Sequence, residues 1–248
     1  MGMTLKQTLR YPRFSNQGLT LIELMVSMTI FLLVLGGIYS TFQSQHKSYL
    51  MQEEVAAMQQ NIRAAMFYLT KEIRMAGCDP TGNAGAAIMI ANVAELQFTI
   101  DKNEDGNFTN PTPPPTNDSN EQMRYALTND ANKDGIADGS PCDLGRETWG
   151  GGLQSVAENI DALDFVYLDG ASPPNVLNPG GTNVSAGDLS RIRSVEITIV
   201  ARTGRALRVT KDNNLYYNQQ GTQILGAQND NFSRRSMTTF IKCRNLGI

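Results

Sequence analysis

Histidine is nearly absent from this 248-residue chain, and the single one, His46, lies ahead of the region that reads as globular. A histidine-based triad or a His-ligated metalloprotease centre is therefore excluded from the body of the protein. Cysteine is scarce too: Cys78, Cys142 and Cys243, with no CxxC spacing, which removes the thiolate pairs of a zinc site. The glycine-rich "GRETWGGG" lacks the Lys-Ser/Thr that would make it a phosphate loop. Carboxylates occur in turn-rich loops rather than in a framed cleft, so no enzyme is read from the sequence. Two further absences are regional. The first 18 residues hold Lys6, Arg10 and Arg13 but no acidic residue. From Leu19 to Ala76 there is no proline, and the only glycines are Gly36 and Gly37.

That uninterrupted stretch opens with an apolar run, Leu21 to Tyr39, just long enough to span a bilayer. The basic leader marks the cytoplasmic end and sends the chain beyond the run outward. No small-residue cleavage site comes after the run, unlike an ordinary secretory signal. One carboxylate, Glu23, sits inside it, where a charge is costly and calls for a reason. Beyond the run, Val55, Met58, Ile62, Met66, Leu69, Ile73 and Ala76 recur at three-and-four spacing, with Glu53, Glu54, Arg63, Lys71 and Arg74 on the polar face. The pattern predicts one continuous helix over 19–76, its 19–42 part a transmembrane or assembly segment. Gly77 and the turn signal "CDPTGN" stop it.

After Gly77 short strand-like runs alternate with loops. Strands are predicted at 94–100, 122–128, 160–168, 192–202 and 237–243. In the fourth, Val195, Ile197, Ile199 and Ala201 alternate with Glu196, Thr198 and Arg202, which predicts a half-buried antiparallel strand. "NPTPPPTNDSN", "DGASPPNVLNPGGTN" and "NQQGTQILGAQNDN" read as loops. The predicted fold class is α+β, with an antiparallel sheet over 77–248 laid on the last third of the helix. In an oxidising exterior two of Cys78, Cys142 and Cys243 are expected to pair; three buried free thiols are the alternative.

Two acidic loops carry the same motif. "DKNEDGNFT" supplies Asp101, Asn103 and Asp105, and "DANKDGIAD" supplies Asp130, Asn132, Asp134, the Ile136 carbonyl and Asp138. Alternate oxygen side chains on a tight, glycine-bearing loop suit a hard cation, and Ca²⁺ is the expected cofactor at one or both. Neither loop has the twelfth-position glutamate of an EF-hand. The alternative is a pair of Asx-rich turns without an ion, an alternative as strong as calcium for the first loop, which lacks a ninth-position carboxylate.

The residues "QGLTLIELM" resemble the type IV prepilin signature: a short basic leader, Gly18, a hydrophobic first mature residue, Thr20, and Glu23 at the fifth mature position. The resemblance implies that residues 1–18 are cleaved off by a prepilin peptidase between Gly18 and Leu19, and that the new amine of Leu19 is N-methylated. Leu19 departs from the family, in which phenylalanine is commonest. Glu23 then gains a role: it pairs with the buried amine of a neighbouring subunit and so sets the register of assembly. "RMAGCDPTG", "VAENIDALDFVYLD", "RIRSVEITIVART" and "TTFIKCRNLGI" resemble PilW-type minor pilins and are similar to J-type pseudopilins of type II secretion. What this implies is a non-enzymatic minor pilin that primes or tips a type IV pilus. Its expected partners are other pilin subunits, the peptidase and an inner-membrane assembly platform. The head is expected in the periplasm before assembly and on the cell surface afterwards. A type II secretion pseudopilin and a calcium-dependent adhesin at the pilus tip are the alternatives. The full chain carries a formal net charge of −3, and loss of the basic leader makes it more acidic, against nucleic acid as primary partner.

Overall fold

The computed structural model describes residues 18–110, 116–117 and 120–247, so the expected leader lies outside the described residues except for Gly18. One long helix, α1 (Leu21–Ile73), comes first. The next elements are the strands β1 (Ile88–Ala91), β2 (Leu96–Thr99), β3 (Thr109–Asn110), β4 (Thr116–Asn117), β5 (Gln122–Leu127) and β6 (Leu144–Thr148). After them come β7 (Gln154–Ala157), β8 (Ile160–Leu168), β9 (Ser194–Arg202), β10 (Tyr216–Tyr217), β11 (Gln223–Leu225) and β12 (Arg234–Lys242). The chain divides into two compact units after Ser48.

In the first unit every residue from Gly18 to Phe42 is exposed. The second unit contains the rest of α1 and all the strands. There α1 buries Met58, Ile62, Ala65, Met66, Leu69 and Ile73, the stripe that the spacing predicts. It ends a few residues earlier than expected. The last turn tightens, with Met75 N donating to Glu72 O at 2.9 Å and Ala76 N to Ile73 O at 3.1 Å. Gly77, at φ +76°, then leaves the helix and gives its N–H to Thr99 O of β2 at 3.0 Å.

Two antiparallel sheets share the core of α1. One runs β1-β2-β5-β6-β7 and the other β12-β9-β8. β9 is central, paired along its whole length with β12, from Ser194↔Lys242 to Arg202↔Arg234. Leu96, Phe98, Met123, Tyr125 and Leu144 of the first sheet and Phe165, Tyr167, Ile197 and Ile199 of the second close around the helix stripe. The α+β architecture is as expected, and β8 has the predicted bounds.

Three local readings are corrected. β9 is not half-buried: Glu196, Thr198 and Arg202 are buried as well, because the segment with β10 and β11 folds over that face. Gln219 N donates to Glu196 Oε1 at 3.3 Å, and the Arg202 guanidinium lies 4.4 Å over the Phe232 ring. "NQQGTQILGAQNDN" is not all loop, since Gln223–Leu225 forms strand β11, paired with β10. The expected disulfide is not formed, and Cys78, Cys142 and Cys243 are all free thiols. Cys142 and Cys243 are buried, and burial pushes the Cys142 thiol up and the Cys243 thiol up to about 12. Each is an unreactive apolar filler rather than a poised thiolate.

Candidate functional site

The start of α1 is a reciprocal cap. Glu23 Oε2 accepts from Thr20 N at 2.9 Å and from Thr20 Oγ1 at 2.8 Å, while Glu23 N donates back to Thr20 Oγ1 at 3.3 Å. This is a capping box, with Thr20 as N-cap and Glu23 three residues on. The Thr-x-x-Glu spacing carries that signal in the sequence; only the pairing with a neighbouring amine was read from it. Both accepted bonds end on Oε2, and among the described residues Oε1 accepts none.

The rest of the apolar segment satisfies its own polar groups. Thr29 Oγ1 donates to Met25 O and Thr41 Oγ1 to Gly37 O, at 2.8 and 3.0 Å. α1 is long and apolar enough to cross a membrane, and the apolar window is unburied in the chain itself. Gly18, Gly36 and Gly37 have no left-handed backbone, and a Cβ at any of them would meet nothing within 4 Å. Among the described residues nothing demands glycine there. Two glycines in a helix interior each cost about 1 kcal/mol relative to alanine.

In the second unit, sequence reasoning missed the fasteners of α1. Glu72 accepts from Tyr125 Oη at 2.6 Å and from Arg146 Nε at 2.9 and 3.1 Å, tying the helix to β5 and β6. Burial and the Glu72 charge push the Tyr125 hydroxyl well above its usual range. Glu54, expected on the polar face, pairs with Arg205 at 3.5 Å. Across the second sheet, Arg234 reaches Asp161 at 2.6 Å and Asp230 at 2.6 Å through each of two nitrogens. No periodicity reports the pairs Glu72–Arg146 and Glu54–Arg205, because the partners are 74 and 151 positions apart.

The acidic loops fold as turns closed by their own amides. Asp130 Oδ2 accepts from Gly135 N at 2.9 Å, Asp134 Oδ1 from Ile136 N at 2.8 Å, and Asp138 Oδ2 from Ala131 N at 2.6 Å. Asn132 Oδ1 accepts from Asp134 N at 3.1 Å. In the first loop Asp101 Oδ1 accepts from Glu104 N at 2.7 Å, Asn103 Oδ1 from Asp105 N and Asp105 Oδ1 from Asn107 N, both at 3.0 Å. Among the described residues no three His, Cys, Asp or Glu side chains form a group able to hold a metal. The expected calcium ligands Asp130, Asn132, Asp134 and Asp138 thus each accept from a backbone amide within their own loop. Gly135, at φ +83°, also has a packing role: a Cβ there would stand 2.2 Å from Leu163 O of β8.

Comparison with known proteins gives two family matches. The model described as prokaryotic N-terminal methylation motif matches residues 13–39. That described as prepilin peptidase-dependent protein B matches residues 51–222. Among solved structures, a type IV-like pilin from Thermus thermophilus aligns at 13% identity and a TM-score of 0.45, covering 77% of this chain and 97% of that one. No curated protein matches.

Proposed function

The chain belongs to the family described as prepilin peptidase-dependent protein B, and from that premise we propose that it is a minor pilin that primes or tips a type IV pilus. The leader is removed between Gly18 and Leu19, the new amine is methylated, and the segment 19–42 holds the subunit in the inner membrane with its head in the periplasm. Assembly moves that segment from lipid into a bundle of neighbouring pilin helices.

One observation carries this reading: Glu23 caps its own helix through one oxygen and keeps the other for a further donor. A free subunit is thereby satisfied without a partner. In the bundle, a neighbour's Leu19 amine can take Oε1 without dismantling the cap, and burial makes a misaligned neighbour costly. The exposed Gly36 and Gly37, undemanded by the chain's own packing, fit close approach of another helix.

Intact-mass measurement after co-expression with a prepilin peptidase tests the first step. Loss of residues 1–18 is expected from the wild type and not from Gly18→Val. A full-length chain beside an active peptidase would overturn the processing reading. Glu23→Gln, which keeps the Thr20 hydrogen bonds but not the charge, is expected to be processed normally and to enter filaments poorly. Undiminished incorporation under native expression would remove the pairing role.

A further inference from the structure

Asp164 is a buried carboxylate with one protein hydrogen bond. It stands on the outer face of β8, 4% exposed, and among the described residues its bond comes from Asn218 Nδ2 to Oδ2, at 3.0 Å. Asn218 is itself locked in place: its Oδ1 accepts from Gln220 N at 3.1 Å and from Thr222 N at 2.9 Å, closing the turn between β10 and β11. On the other side, Asn178 donates to Phe165 O at 2.8 Å and accepts from Tyr167 N at 2.9 Å, pinning the 175–184 loop along the edge of β8. Between these two pinned loops lies a cavity of about 240 Å³, lined by Asp164, Asn218, Gln220 and Thr222 and, on its apolar side, by Val166 and Val176. A second cavity of about 340 Å³ shares Asp164, Gly180, Gly181 and Thr222 with the first and extends toward Asn132 and Asp134.

We propose that this cavity is a binding site for a neutral, hydroxyl-rich ligand, a saccharide unit of roughly one pyranose ring. Among the described residues Asp164 Oδ1 has no protein donor and is open to the cavity rather than sealed in the core, which leaves it available to a ligand. A ligand hydroxyl donating to Oδ1 would supply the missing partner. The Gln220 amide and the Thr222 hydroxyl can each both donate and accept, which matches vicinal hydroxyls. Val166 and Val176 offer apolar surface to the C–H face of a ring. None of the residues lining the first cavity is cationic, which disfavours a phosphate or carboxylate ligand. In the second, Lys133 is already paired with Glu95 at 3.1 Å. Burial pushes the Asp164 carboxyl up, with the Asn218 hydrogen bond opposing, so a further donor at this carboxylate is favourable. The site is separate from the assembly segment and does not depend on Glu23.

The test uses the full chain in detergent micelles and saturation-transfer NMR with glucose, galactose, mannose and N-acetylglucosamine as probes, and ethylamine as the charged control. At least one neutral sugar is expected to bind weakly, as a small ligand in a half-open site does. Asp164→Asn should weaken it about tenfold, in keeping with loss of a hydrogen bond to a charged group. Thr222→Val should weaken it by a smaller factor. Circular dichroism melting at or above the wild-type temperature shows that Asp164→Asn remains folded. Silence from all four sugars overturns the proposal, as does sugar binding unaffected by both variants. Binding of ethylamine alone overturns the ligand class. Normal filament assembly alongside any of these results leaves the pilin reading intact, since it is measured separately.

Discussion

From Leu21 to Phe42 helix α1 exposes Phe31, Leu32, Leu33 and every other apolar side chain, whereas from Met58 to Ile73 the same helix buries its apolar residues on one stripe. A stripe is answered by the chain's own sheets. A helix that is apolar all round needs an apolar environment on every side, and none of the described residues covers its first part. Lipid before assembly and neighbouring helices after it are environments of that kind. The difference separates the two units: the second buries its apolar stripe against its own sheets, and the apolar window of the first is unburied among the described residues. The polar groups agree. Thr20 and Glu23 satisfy each other locally, while Glu72 needs Tyr125 and Arg146 from distant strands.

The contrast can be broken by mutation. The largest effect is expected from Gly135→Ala, where a left-handed backbone and a 2.2 Å approach to Leu163 O leave no room for a methyl. A loss of about 4 kcal/mol in the stability of the second unit is expected by denaturant unfolding. A wild-type midpoint would show that the loop is free to move off β8.

Leu69→Ala comes next, deleting a fully buried side chain from the helix stripe. It is expected to cost about 3 kcal/mol. Leu32→Ala, in the exposed part, should leave the same midpoint within about 0.5 kcal/mol. Equal losses from both would abolish the division between the two parts of α1.

Glu72→Gln keeps an acceptor for Tyr125 but removes the charge facing Arg146. With the two ion-pair side chains 19% and 20% exposed, the loss is set at about 2 kcal/mol rather than the full value of a buried pair. Double-mutant cycles with Arg146→Met measure the coupling, and a coupling of zero would mean that packing alone holds α1 to β5 and β6.

The smallest effect is a pH dependence. Asp169 accepts from Asn175 Nδ2 at 2.9 Å, from Asn175 N at 2.8 Å and from Ala171 N at 3.0 Å. These bonds, with the Asn175 side chain first, hold its carboxyl down at about 2. A depressed folded pKa contributes stability that is present above the ordinary carboxylate range, near 4, and is lost as pH falls toward 2. Asp169→Asn should flatten that part of the stability curve. An unchanged acid limb would show that other carboxylates dominate it.

Local pattern was enough for much of this protein. The three-and-four spacing from Val55 to Ile73 identified the buried stripe, because helix geometry repeats within four residues. The strand-like run "IDALDFVYL" gave the bounds of β8, and the glycine and glutamate at the helix start pointed to the processing and assembly signature. The tertiary structure decided what no window of neighbouring residues contains. It covered the polar face of β9 with the segment that carries β10 and β11, turning Glu196 and Thr198 into buried groups. It closed the acidic loops on their own amides, a set of bonds that the motif spacing does not report. It also paired Glu72 with Arg146 and Asp161 with Arg234 across more than 70 residues. Periodicity reports which way a side chain faces its own element; which remote element meets it is settled only when the sheets close around the helix.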